Sequence, residues 1–244
     1  MFKRKRKIFV SLTTIFSLVV SALAYAGYAA PGETACAVAR FSGMDTLSDG
    51  TLIEQNSSAM ERATFMELQS QARDRIKATF GAPRAKPIVV VFADSKTFWP
   101  LRLNTYASAA FIGSRVCLLI GPQGQNVDVV AHEFMHAELA SRVGYWRRNF
   151  EVPAWFDEGV AMQVDLRARY NWPDQHGKPN DFSYVRRFNS QGQFRDADDA
   201  QLTRNYAAAK AEVAQWLHSI GPGALYGRLE RIRVGEDFDA VLVK

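Results

Sequence analysis

Apolar positions in the first half of the chain fall into two patterns. Met60, Ala63, Phe65, Leu68, Ala72, Ile76 and Phe80 return at three- and four-residue intervals and stop at Gly81-Ala82-Pro83, which predicts a helix over 56–80. Pro87-Ile88-Val89-Val90-Val91-Phe92-Ala93 is instead a short β-branched run and predicts a buried strand. Two further strands are expected over Tyr106–Ile112 and Arg115–Ile120, joined through the turn-forming pair Gly113-Ser114. Gly121-Pro122-Gln123-Gly124 closes this section, and either Asn126 or Asp128 can cap a helix that runs to Val143-Gly144.

Beyond Pro153 the pattern is mostly helical. A helix is expected from Pro153 to about Arg169, then a long loop with one short helical piece over 171–200. Ala207–Ser219 reads as a further helix, stopped by Gly221-Pro222-Gly223, and residues 224–242 hold room for two short ones. Strands that precede helices argue for an α+β domain rather than alternating βαβ units.

The N-terminus follows different rules. Lys3, Arg4, Lys5, Arg6 and Lys7 precede the apolar stretch Ile8–Ala24, and Ala24-Tyr25-Ala26 resembles a cleavage site. Residues 1–30 therefore read as a signal peptide or, since residues 8–30 are long enough to span a bilayer, an N-terminal membrane anchor. Either reading places the remainder outside the cytoplasm. Residues 31–50, rich in Gly, Ser, Thr and Asp, read as linker or irregular structure, which leaves 51–244 as the domain.

This leader also accounts for the net charge of +5. Without its five cations, 25 basic residues face 25 acidic ones, so a general footprint for nucleic acid is excluded. Apolar residues at 48% and charged residues at 23% are ordinary for a folded domain. Cys36 and Cys117 lie beyond the leader; whether they pair is open, and neither belongs to a C-x-x-C metal motif.

The chemistry concentrates in His132-Glu133-Phe134-Met135-His136. Two histidines four apart on a helix share a face and can grip one cation, with Glu133 beside them to act on water. By itself this short pattern also describes a buried helix with two core histidines. Pro153-Ala154-Trp155-Phe156-Asp157-Glu158-Gly159-Val160-Ala161 adds an acid within an apolar helical segment, and a buried carboxylate needs a cationic partner. A charge on the exposed side of an amphipathic helix is the blander account of Glu158, and Asp157 beside it fits that account.

Together the two segments resemble the gluzincin, or peptidase-MA-like, zinc metallopeptidases, in which a Glu within W-x-x-E-G-x-A completes a His-His-Glu site. The resemblance implies a zincin-like fold, a small N-terminal sheet lobe followed by a mainly helical lobe. It implies Zn²⁺ on His132, His136 and Glu158, Glu133 as catalytic base, and a peptide or protein substrate. Leu139 and Arg142 stand where the metzincin pattern requires Gly and His. His176 and His218 read as non-ligands. Further along, Tyr206, Ala207–Leu217, Gly221 and Gly235-Glu236-Asp237-Phe238 follow the family's order; this suggests Tyr206 as donor to the oxyanion, with Tyr170 as the runner-up. Asp165 is a candidate to orient a ligand, although a solvated acid is the plainer reading. No Gly-Ala-Met-Glu-Asn motif is present, and Ser108-Ala109-Ala110-Phe111, where a substrate-pairing edge strand belongs, lacks an acidic anchor for a free amine. Endopeptidase activity on extracytoplasmic substrates is therefore the expectation. The alternative is a catalytically silent, membrane-tethered protein of the same fold, against which the intact Glu133 weighs.

Overall fold

In the computed structural model the described residues are 27–99, 101–172 and 181–243, together with Ser17 and Tyr25. Most of the expected leader, residues 1–16, 18–24 and 26, and His176 lie outside them. The chain is a mixed α/β protein with every described strand before residue 121. Its elements are α1 (Pro31–Val38), β1 (Met44–Thr46), β2 (Leu52–Glu54), α2 (Ala59–Phe80), β3 (Ile88–Val91), β4 (Ala107–Ile112) and β5 (Arg115–Ile120). Then come α3 (Val127–Val143), α4 (Tyr145–Phe150), α5 (Ala154–Ala161), α6 (Gln191–Arg195), α7 (Asp199–Ile220), α8 (Leu225–Arg233) and α9 (Phe238–Val243).

One five-stranded sheet has the order β1-β2-β3-β5-β4. β3 lies parallel to both β2 and β5, and the outer pairs β1-β2 and β4-β5 are antiparallel. The Gly113-Ser114 turn forms as expected, with Gly113 at φ 60°, and it fixes the β4-β5 register from Ile112↔Arg115 to Ala107↔Ile120. Because side chains alternate across a strand, the β-branched runs feed two cores. Val89, Val91, Leu118 and Ile120 face α2 and α3. Val90, Phe92, Cys117 and Leu119 face the opposite side, where α1 covers them.

That second core corrects the reading of residues 31–50 as linker. Ala35, Cys36 and Ala39 are buried against the sheet, and Cys36 is bonded to Cys117 at a Cα separation of 6.3 Å. Small residues let α1 lie close to β4 and β5, so a composition that resembles linker serves as packing surface. β1 and β2 were not expected either. Each has three residues, too few for a period to show.

The expected helix from Pro153 to Arg169 ends at Ala161 instead. The next carbonyls have other partners: Arg75 donates to Val164 O (2.9 Å) and Lys210 to Asp165 O (2.7 Å). The Asp165 carboxylate accepts from the Arg167 N–H, the kind of local side-chain bond that competes with a helix. Conversely, α7 starts eight residues before Ala207, where Asp198 caps it by accepting from the Gln201 N–H (2.8 Å). No helix among the described residues is long and apolar enough to cross a membrane.

The Cys36–Cys117 bond closes a long loop, and such bonds commonly contribute about 2–4 kcal/mol. A Cys36→Ala/Cys117→Ala double variant is expected to unfold at lower urea, with its unfolding free energy reduced by about 2–4 kcal/mol. Equal midpoints for the two proteins would show that the bond adds nothing to stability.

Candidate metal centre

α3 carries His132 and His136, and its ends are fixed by polar contacts. Asn126 caps the first turn by accepting from Val129 N–H (3.0 Å), and Gly144 ends the helix at φ 92°. Between them Glu138 is 1% exposed; its carboxylate accepts from the Arg84 and Ala85 backbone N–H groups and from Arg142. Arg142 also lies over the Tyr226 ring of α8. These contacts hold the helix in rotation, which decides where its imidazoles point.

α5 crosses beneath and delivers Glu158. Its first N–H groups have carbonyl partners from another segment, Ala154 N to Asn189 O (3.3 Å) and Trp155 N to Phe188 O (3.2 Å). Gly159 permits a close crossing with α7. A Cβ there would lie 2.5 Å from Ala209 O and 2.5 Å from Val213 Cγ2, so the next residue after the candidate ligand has to be glycine. The same crossing brings Tyr206 to the site, its ring centroid 6.3 Å from that of His132.

Three ligand atoms converge. His132 Nε2 is 3.1 Å from His136 Nε2 and 3.3 Å from Glu158 Oε2, and His136 Nε2 is 3.4 Å from the same oxygen. These are close to the ~3.3 Å edges expected of a tetrahedral site with bonds of about 2.0–2.1 Å. Glu158 is fully buried and its Oε2 has no hydrogen-bond partner, an orphaned acceptor aimed at the point a cation would occupy. His132, His136 and Glu158 can hold a metal ion.

Groups around the three orient them. His136 Nδ1 is 2.9 Å from Asp157 Oδ1, and Arg148 holds the other Asp157 oxygen. A carboxylate on Nδ1 keeps that nitrogen protonated and turns Nε2 to the metal position. Asp157 is therefore no surface charge; it is 5% exposed. Asp165 is buried rather than solvated, 3.9 Å from His132 Nδ1 and gripped by Arg167. Arg195, at the end of α6, donates to Glu158 Oε1 at 3.3 Å. Sequence reasoning missed Arg148 and Arg195, since nothing local to either signals a buried carboxylate elsewhere. Two adjacent acids inside an apolar helix were a usable signal for Asp157.

Electrostatics follow from this crowding. Burial acts to raise the Glu158 carboxyl, but the imidazoles and Arg195 outweigh it and hold the group well below the usual range. Burial works against a charged His136, yet Asp157 and Glu158 overcome it and push the imidazole up to about 10 in the metal-free protein. Burial raises the Tyr206 hydroxyl, as do Glu158 and Glu133 nearby, so it stays a neutral donor.

Glu133 sits next to His132 with Oε2 unpartnered. It opens on a cleft of about 290 Å³ that is also lined by Tyr206, Tyr170, Arg195 and Ala107 of β4. Five of the residues expected from the sequence thus lie in one place: His132, His136 and Glu158 by their potential ligand atoms, Glu133 and Tyr206 on the adjoining wall. Tyr170 is on the same wall, its ring 5.6 Å from that of Tyr206. His218 is exposed near the end of α7, away from the site. A scan against models of known protein families matches none, and a search of characterised proteins finds no significant match.

Asp157→Asn tests the orienting chain. The amide cannot fix the His136 tautomer as the carboxylate does, so divalent-metal affinity is expected to drop ~10–100-fold with helix content unchanged. Chelator competition followed by circular dichroism measures both; unchanged affinity would remove Asp157 from the site.

Proposed function

We infer that this chain is a zinc-dependent peptidase of the gluzincin type with a zincin-like fold, acting as an endopeptidase outside the cytoplasm. The observation that carries this reading is the convergence of two imidazole nitrogens and one buried carboxylate oxygen beside a second, unpartnered carboxylate. The donor set favours zinc: two nitrogens and one oxygen suit a borderline-soft ion that keeps a further position open. His132, His136 and Glu158 would hold it. When bound, zinc supplies Lewis acidity, which polarises a scissile carbonyl and makes water more acidic at neutral pH.

The rest is the work of the chain's own groups. Glu133 accepts the proton of the attacking water at its unpartnered oxygen and passes it to the leaving amine. Tyr206, held neutral, donates its hydroxyl hydrogen bond to the developing oxyanion. Asp157, Arg148 and Arg195 fix the ligands in place, so little reorganisation is required during the reaction. β4 is the edge strand of the sheet, and its first residue, Ala107, lines the cleft. The β4-β5 register turns the backbone groups of Ala107, Ala109 and Phe111 away from β5, where they can pair with an extended substrate. No acid lies on that strand to hold a free amine, which favours cleavage within a chain over removal of its first residue.

Metal analysis of the purified protein is expected to give about one zinc per chain, lost under chelator competition in Glu158→Ala. Glu133→Gln keeps size and helix preference but cannot take the proton. Turnover of a peptide library is expected to fall ~10²–10⁴-fold with zinc content unchanged. Tyr206→Phe costs ~10²–10³-fold, the scale of one oxyanion donor. A Glu133→Gln protein as active as the wild type, both loaded with zinc, would sink the mechanism. A zinc-loaded wild type that cuts nothing in a broad library would favour a silent binding protein.

A further inference from the structure

A second concave site lies at the other end of β4. Its cavity of about 340 Å³ is formed between the β4-β5 turn, the segment before β3 and the last turns of α3. Phe111 and Tyr145 supply aromatic walls, their ring centroids 5.1 Å apart. The charged side chains that line it are Lys86, Arg115 and Arg233, with no carboxylate among the lining residues. None of the three makes an ion pair among the described residues; Arg233 reaches only the Ser141 carbonyl, at 3.3 Å. Cations gathered around one hollow repel one another, and an anion placed there relieves that repulsion.

β4 connects this cavity to the metal centre. Ala107 lines the cleft and Phe111 lines the cavity, on the one strand whose outer edge has no partner strand among the described residues. Ala107, Ala109 and Phe111 present their backbone donors and acceptors along that edge, and none has a hydrogen-bond partner there among the described residues. An extended peptide added to the edge runs alongside β4 residue for residue, and the positions from Ala107 at the cleft to Phe111 at the cavity therefore set a spacing of about five residues between the metal centre and the cavity mouth.

We propose that the cavity bounded by Lys86, Arg115 and Arg233 is a specificity pocket for an acidic side chain of an extended peptide, about five residues from the bond at the metal centre on one side only. The pairing of strand to edge gives general affinity without regard to sequence, and the distant cations select which chains are held in productive register. This proposal rests on the peptidase reading for its distance scale, but the cationic pocket itself does not. Screening by salt weakens such a contact, so selectivity for acidic peptides is expected to fade as ionic strength rises.

The test uses the full chain and a library of peptides in which one Asp or Glu is stepped along a neutral sequence. Cleavage by the zinc-loaded wild type is expected to be best with the acid about five residues from the cut. Lys86→Glu/Arg115→Glu should lower kcat/KM for those peptides at least about tenfold and prefer Lys or Arg at the same position, with neutral peptides cut as before. Both residues are exposed, and the milder Lys86→Gln/Arg115→Gln pair, which loses the preference without reversing it, guards against misfolding. Cleavage with no positional preference for acid, or a preference that survives charge reversal, overturns the pocket and leaves the peptidase reading standing. If no peptide is cut, fluorescence anisotropy of the acidic and neutral peptides decides. Acid-selective binding lost on charge reversal upholds the pocket while the peptidase reading fails. Equal binding of both peptides, or capture by anionic phospholipid vesicles in place of acidic peptides, overturns it.

Discussion

A carboxylate without solvent exposure needs compensating charge close by, and Glu158 obtains it from two elements other than its own. The imidazoles of His132 and His136 come from α3, and the Arg195 guanidinium comes from α6. Burying the group unpaired would cost several kcal/mol, so α3, α5 and α6 cannot separate without a large penalty. Gly159 then brings α7 against α5, which places Tyr206 on the wall beside Glu133. Removing one partner leaves the others as uncompensated charge, and for that reason the helices behave as one unit around this carboxylate.

The same dependence extends outward through shared side chains. Asp157, adjacent to Glu158, bridges His136 to Arg148, and Arg148 lies over the Phe111 ring of β4 at 4.8 Å. On the other flank Asp165 joins Arg167 near His132, while Asp128 at the start of α3 pairs with Arg75 of α2. The sheet edge and the candidate metal centre are thus connected by contiguous side-chain contacts, not merely adjacent. Two side chains, Arg148 and Asp157, stand between the edge strand and His136.

Much of this could be read from the sequence because the signals were local. The spacing of His132 and His136 fixes a shared helix face, the β-branched run 87–93 can only be a buried strand, and Gly113-Ser114 makes a turn. What escaped depends on contacts distant in the chain. The end of α5 at Ala161 is set by Arg75 and Lys210, which lie 89 and 45 residues from the carbonyls they capture. α1 looked like linker because Ala35, Cys36 and Ala39 are small, and small residues gain their meaning only from the sheet they lie against. The early start of α7 was hidden by a polar first turn, where Asp198 acts through its cap and not through apolar spacing.

The Cys36–Cys117 bond spans 81 residues, and its position along the chain has a consequence for the order of assembly. A chain that emerges from its N-terminus exposes Cys36 well before its partner, so α1 cannot be fastened until β5 has appeared. By then α2 and the other strands are already out, and all of them lie inside the covalent ring. His132, Glu133, His136, Glu158 and Tyr206 are all C-terminal to it. Oxidation can therefore complete a closed sheet scaffold before any of the candidate site exists, and the helices that carry that site fold onto a surface that is already fixed.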